Sequence, residues 1–102
     1  MKLMSRNQWK YFWTEFEAKG KTMPLMEYSR WIDGRKAAIS KEWPGHDWSN
    51  GRYAVQVEKF LEAGEDVSTS ELTPADIRYD WQAFPNLAPL LGYTMPARKE
   101  AA

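Results

Sequence analysis

Residues 26–43 read MEYSRWIDGRKAAISKEW, and the Asp33-Gly34 pair at their centre decides the fold. Asp-Gly is a turn signal. Before it, Leu25, Tyr28 and Ile32 fall at i, i+3 and i+7, with Trp31 beside them. After it, Ala38, Ile39 and Trp43 lie on one side of a second helical stretch. This spacing is that of amphipathic helices. It predicts two short helices joined by a tight turn, the second over 35–43. Ser29 is a small residue midway along the first, where the second must approach closely. Ile39 sits six residues past Asp33, where it locks the pair together. With Ile39 inward, Arg35, Ser40 and Lys41 project from the outer face, with Lys36 at its flank. Arg and Lys there meet guanine edges or phosphates, and Ser meets either.

Working outward, Pro24 suits the first turn of a helix. On its N-terminal side, Trp9, Phe12, Trp13 and Phe16 recur at i, i+3, i+4 and i+7, the stripe of a helix over 6–19. Ser5 or Asn7 supplies its N-cap oxygen, and Gly20 stands where a glycine stops a helix. Tyr11 faces away from that stripe and is exposed. On the C-terminal side, 44–51 (PGHDWSNG) is a loop by composition. Residues 52–57 read two ways. Tyr53, Val55 and Val57 alternate as in a half-buried strand, while Val57, Phe60 and Leu61 suit a helix ending at Gly64. The reading is a short strand near 52–55 followed by a helix over 57–63.

Residues 65–71 (EDVSTSE) form a polar linker. Thr73-Pro74 with Asp76 opens a further helix: Thr as cap, Pro at the first position, acid in the first turn. Ile77, Trp81 and Phe84 keep helical spacing up to Pro85, and 86–91 adds a turn or two before Gly92. The tail 96–102 is expected to fray. The whole is a single domain, 1–102, mainly α, of four to five helices with at most a two-stranded ribbon near 44–56. Its parts are an N-terminal aromatic helix (6–19), a helix-turn-helix-like centre (24–64) and a C-terminal helical extension (72–92). Trp13, Ile32, Ile39, Phe60 and Trp81 are the expected core.

Composition narrows the chemistry. The 102 residues contain six Trp, five Tyr and four Phe, enough for a small core. There is no Cys, so disulfides, thiolate catalysis and thiolate metal sites are excluded. The single His, His46 in PGHDW, reads as a solvated loop residue. Pairs such as Glu15/Glu17 and Glu65/Asp66 lack the opposed placement of acid–base carboxylates. No phosphate loop or serine elbow is present. The expectation is no enzyme, no catalytic residue, no metal and no cofactor. No apolar run reaches membrane-span length, and the first residues lack a signal-peptide core, so a cytoplasmic protein with no membrane partner is expected.

Charge sums to zero, with 14 basic and 14 acidic residues. Along the chain it is uneven: five basic against two acidic over 1–23, six against six over 24–64, three against six over 65–102. The footprint of a strongly basic nucleic-acid binder is absent.

Residues 24–64 nonetheless resemble the winged helix-turn-helix of phage excisionases and Cox-type regulators, themselves similar to the MerR-type DNA-binding head. The resemblance rests on Ser29, Asp33-Gly34, Ile39 and the wing-like Gly51-Arg52-Tyr53-Ala54-Val55, about 40% of the chain. It departs where the family has Gly at Asp33, an apolar residue at Gly34, and an apolar or aromatic residue at Glu42. It implies a small regulator of a mobile element that binds double-stranded DNA through Arg35, Lys36, Ser40, Lys41 and Arg52. So few cations favour cooperative or homo-oligomeric binding.

A second reading belongs to another class: a phage or mobile-element protein that binds and inhibits a host protein complex, as an anti-CRISPR does. Neutral charge and many Trp, Tyr and Arg match interface composition. Tyr11, Trp48, Arg35 and Lys41 are its contact candidates. A structural phage or plasmid subunit is a third possibility. The discriminator is electrostatic. Arg35, Lys36, Lys41 and Arg52 on one face without acidic partners favours DNA, and a neutralised face favours protein.

Overall fold

A computed structural model describes residues 2–93. They form four α-helices: α1 (Arg6–Thr22), α2 (Leu25–Glu42), α3 (Tyr53–Glu62) and α4 (Leu87–Leu90), with 3₁₀ turns at Pro74–Ile77 and Trp81–Ala83. Among the described residues there is no strand, and no helix is long and apolar enough to cross a membrane. The fold is mainly helical. The tail at 96–102 lies outside the described residues. The chain divides into two compact units, Met1–Tyr53 and Ala54–Ala102.

In the first unit, α1 begins where Ser5 accepts a hydrogen bond from the Gln8 N–H, the expected cap. The helix runs past Gly20, which is no stop. A Cβ at that position would lie 3.3 Å from the Tyr28 ring, so the glycine admits α2 closely. Gly20 meeting Tyr28, Phe16 meeting Trp31 and Glu15 meeting Arg35 show that α1 and α2 run antiparallel.

The turn at Asp33-Gly34 is absent: α2 is one helix of 18 residues. A glycine inside a helix costs only about 1 kcal/mol against alanine. The stripe Tyr28, Ile32, Arg35, Ile39 and Trp43 keeps one helical phase straight through the pair, so nothing demands a break. The wing is also absent, because residues 53–55 begin α3 rather than a strand. The phase of Tyr53, Val57 and Phe60, all buried, is helical. A helix-turn-helix with a ribbon is therefore not the architecture of 24–64.

The core of the first unit is aromatic. Trp9, Phe12 and Phe16 of α1 are buried. Trp48 stacks on Trp9 with centroids 4.6 Å apart and planes 13° apart, and meets Phe12 and Phe16 edge-on at 5.9 and 5.5 Å. Each such pair contributes about 0.5–1.5 kcal/mol beyond its buried area. The Trp9 indole donates to the Gly51 carbonyl at 2.9 Å, which fastens the loop 43–52 to α1. Of the expected core, Ile39 is buried here, whereas Trp13 and Ile32 are half-buried. Trp9, on the same stripe, is the deeply buried tryptophan of α1.

In the second unit Val57, Phe60, Leu72, Ile77, Phe84, Leu87 and Ala88 are buried. Trp81 is only half-buried, with its ring stacked on Tyr93 at 5.4 Å. The expected helix over 74–84 is two 3₁₀ turns. Thr73 stands at the start as predicted, its N–H donating to Asp76 Oδ2 at 2.7 Å, but Asp80, at φ −141°, breaks the helical path between the two turns. Gly64 and Gly92 end their elements at φ +83° and +95°. The buried Glu58 carboxylate accepts from the Asn86 and Leu87 backbone N–H groups and from Asn86 Nδ2, at 2.8–3.3 Å. It thereby satisfies orphan donors at the start of α4.

Candidate functional site

An α-helix turns by about 100° per residue, so Lys36 and Lys41 on a continuous α2 point about 140° apart. Lys36 shares its side with Ser40, and both are half-buried. Lys41 is exposed on the opposite flank. Arg35 does not project outward. Its Nε donates to Glu15 Oε1 at 2.9 Å, and its guanidinium lies 5.3 Å over the Phe12 ring. Arg35 is thus a tie between α2 and α1, neutralised by a carboxylate. Arg52 is exposed in the loop before α3, where its backbone N–H donates to Asn50 Oδ1. The five residues expected on a DNA-reading face are not brought to one face of the first unit.

The contact candidates of the protein-binding reading divide. Trp48, at 7% exposure, is a core residue and not an anchor for a partner. Its packing partners Trp9, Phe12 and Phe16 lie more than 30 positions upstream, beyond the reach of a local reading. Its indole N–H and that of Trp13 are buried without an acceptor. Tyr11 is 63% exposed, as expected. Two residues that sequence reasoning missed are also exposed, at the start of α2: Leu25 at 80% and Met26 at 72%. The helical spacing puts Leu25 on the inner stripe, and its phase is right. It lies at the tip of the α1–α2 hairpin, where α1 has already ended at Thr22. Around that tip stand exposed Lys19, Lys21 and Arg30 against the exposed acid Glu27.

His46 is not solvated. At 9% exposure it sits among Trp9, Trp43 and Trp48, with ring centroids 6.1, 5.9 and 6.4 Å away. Its Nε2 accepts from the Met4 N–H at 3.0 Å and its Nδ1 lies 3.1 Å from the Trp43 carbonyl oxygen. Burial pushes its pKa below the ordinary value of 6.5, against backbone hydrogen bonds at Trp43 and Pro44 that raise it. Both nitrogens serve the backbone, so the ring is engaged in structure. No group of three His, Asp or Glu among the described residues is placed to hold a metal ion.

The chain matches no family model, no characterised protein and no solved structure. Its function is therefore argued from its own residues.

Proposed function

We propose that this protein is a non-catalytic binding module whose partner is another protein, engaged through the α1–α2 hairpin. The carrying observation is the exposure of Leu25 and Met26, two adjacent large apolar side chains at the tip of that hairpin, with exposed Tyr11 further along α1. Single exposed apolar residues are ordinary, whereas adjacent ones at a helical tip, rimmed by charge, mark interaction surfaces. Lys21 and Arg30 add polar contacts there, with cations that steer an acidic partner. The neutralised Arg35 and the splayed Lys36 and Lys41 weigh against the DNA reading. A module of this kind acts by occupying its partner's surface, as an inhibitor of a host complex does.

The test has two arms. Affinity for random duplex DNA, measured against salt, should be absent or negligible. A log–log slope of about −0.9 per phosphate contact would restore the DNA reading. In the second arm the wild-type chain co-purifies with its protein partner from cells of its source. Leu25→Asp/Met26→Asp should lose that partner while keeping the circular dichroism and thermal midpoint of the folded chain. Retention of the partner by this variant would remove the hairpin tip from the interface.

A further inference from the structure

We propose that residues 2–4 are a strap latched by neutral His46, and that proton uptake on this imidazole releases the strap and uncovers the seat of the Met4 side chain. The geometry is specific. Met4 is 0% exposed, and both of its backbone polar groups are held. Its N–H donates to His46 Nε2 at 3.0 Å, and its carbonyl accepts from the Tyr53 hydroxyl at 2.6 Å. On the far side of the ring the Trp43 carbonyl accepts at 3.1 Å, so Nδ1 carries the proton and Nε2 keeps its lone pair for Met4.

A second proton turns Nε2 from acceptor to donor. It then faces another N–H, and the Met4 bond is lost. The ring itself has reason to stay. Trp48 is stacked on it at an interplanar angle of 28° and Trp9 is tilted against it at 33°, and aromatic faces favour a cation. The element that leaves is the strap. It precedes α1, ends at the Ser5 cap, and its other latch is the Tyr53 hydroxyl.

Other charged groups lie on the elements packed around the ring. Lys2 lies in the strap, Arg6 at the start of α1 and Arg52 in the loop before α3. Asp47, whose Oδ1 accepts from the Ser49 N–H, and Glu42 at the end of α2 are the acids on these elements. Burial of the ring sets the release on the acid side of neutrality.

The proposal is tested by amide exchange on the full chain by ¹⁵N NMR from pH 8 to pH 5, with the His46 ring signals followed in parallel. The Met4 amide should be protected above the ring transition. Its protection factor should fall about tenfold per pH unit below it, while that of Phe16 in α1 holds. His46→Gln keeps an acceptor that does not titrate, and Met4 protection in this variant should be flat with pH. Should His46→Gln fail to fold, Tyr53→Phe removes the carbonyl latch alone. Met4 protection should then drop about fivefold at pH 8, one net hydrogen bond, with the pH transition retained. Protection at Met4 that ignores the ring titration, or that falls together with Phe16, overturns the latch. So does an equal fall in His46→Gln.

Discussion

Gly34→Ala separates a continuous α2 from a helix-turn-helix by sign alone. Gly34 lies in the interior of α2, and a Cβ built on it meets nothing within 4 Å. Its φ is not left-handed, unlike that of Gly45, Gly64 and Gly92. The substitution therefore adds no clash and no strain. It removes backbone freedom from the unfolded chain and supplies the best helix former, together about 0.5–1 kcal/mol of stabilisation. For a chain of this size that is a rise in thermal midpoint of about 3–6 °C. Gly64→Ala is the internal control. At φ +83° an alanine is strained, and the midpoint should fall by a similar or larger amount. Thermal unfolding followed by circular dichroism reads both. A loss of stability in Gly34→Ala would mean that residue 34 needs a glycine conformation, and the case against the turn would collapse.

Other perturbations test the remaining ties. Glu58→Gln keeps one acceptor oxygen but turns an amide toward the Asn86 donors. It should cost about 2–3 kcal/mol, read by urea unfolding, and a neutral result would refute the role of Glu58 as cap of α4. Arg35→Ala removes an ion pair whose side chains are 33% and 28% exposed. Water screens such a pair, so the loss should stay under about 1 kcal/mol, and a larger value would show a deeper role for Arg35. Stability should also depend on pH through His46. Its folded pKa is depressed, so the unfolded chain binds more protons as pH falls through 6.5. Stability is then full above pH 6.5 and is lost as pH falls toward the lower folded pKa. Denaturant midpoints in the His46→Gln background should lack this component.

Where signals are local, the residues are legible. The Ser5 cap, the α1 stripe, the Gly64 and Gly92 stops and the Thr73/Asp76 box each act within a few positions, and each is readable there. Asp33-Gly34 misleads because a turn signal competes with helical phase. The stripe from Tyr28 to Trp43 fits one unbroken helix, and that phase is present in the sequence. Tyr53, Val55 and Val57 fit either period, and burial of Val57 and Phe60 on one helix face settles it. His46 and Trp48 escape a local reading for another reason. Their environment comes from Met4 and Trp9 some 40 positions away, at separations no local pattern encodes. The candidate surface suffers likewise, since the exposure of Leu25 depends on where α1 ends.

The double hold on Met4 also bears on the order in which the chain assembles. Hairpin contacts such as Gly20 with Tyr28 close eight residues, whereas the Tyr53–Met4 bond closes 49. That is between two and three doublings of loop length, about 1.5 kcal/mol of extra closure entropy. Few interactions repay it before the aromatic stack is in place, so the strap forms after the main barrier to folding. In a chevron analysis Tyr53→Phe should steepen neither limb. It should raise the unfolding rate and leave the folding rate within about twofold. A slowed folding limb would put the strap in the nucleus. Residues that join after the barrier set how long the native state lasts and have no say in how fast it is reached. In this chain the holds of His46 and Tyr53 on Met4 are of that kind.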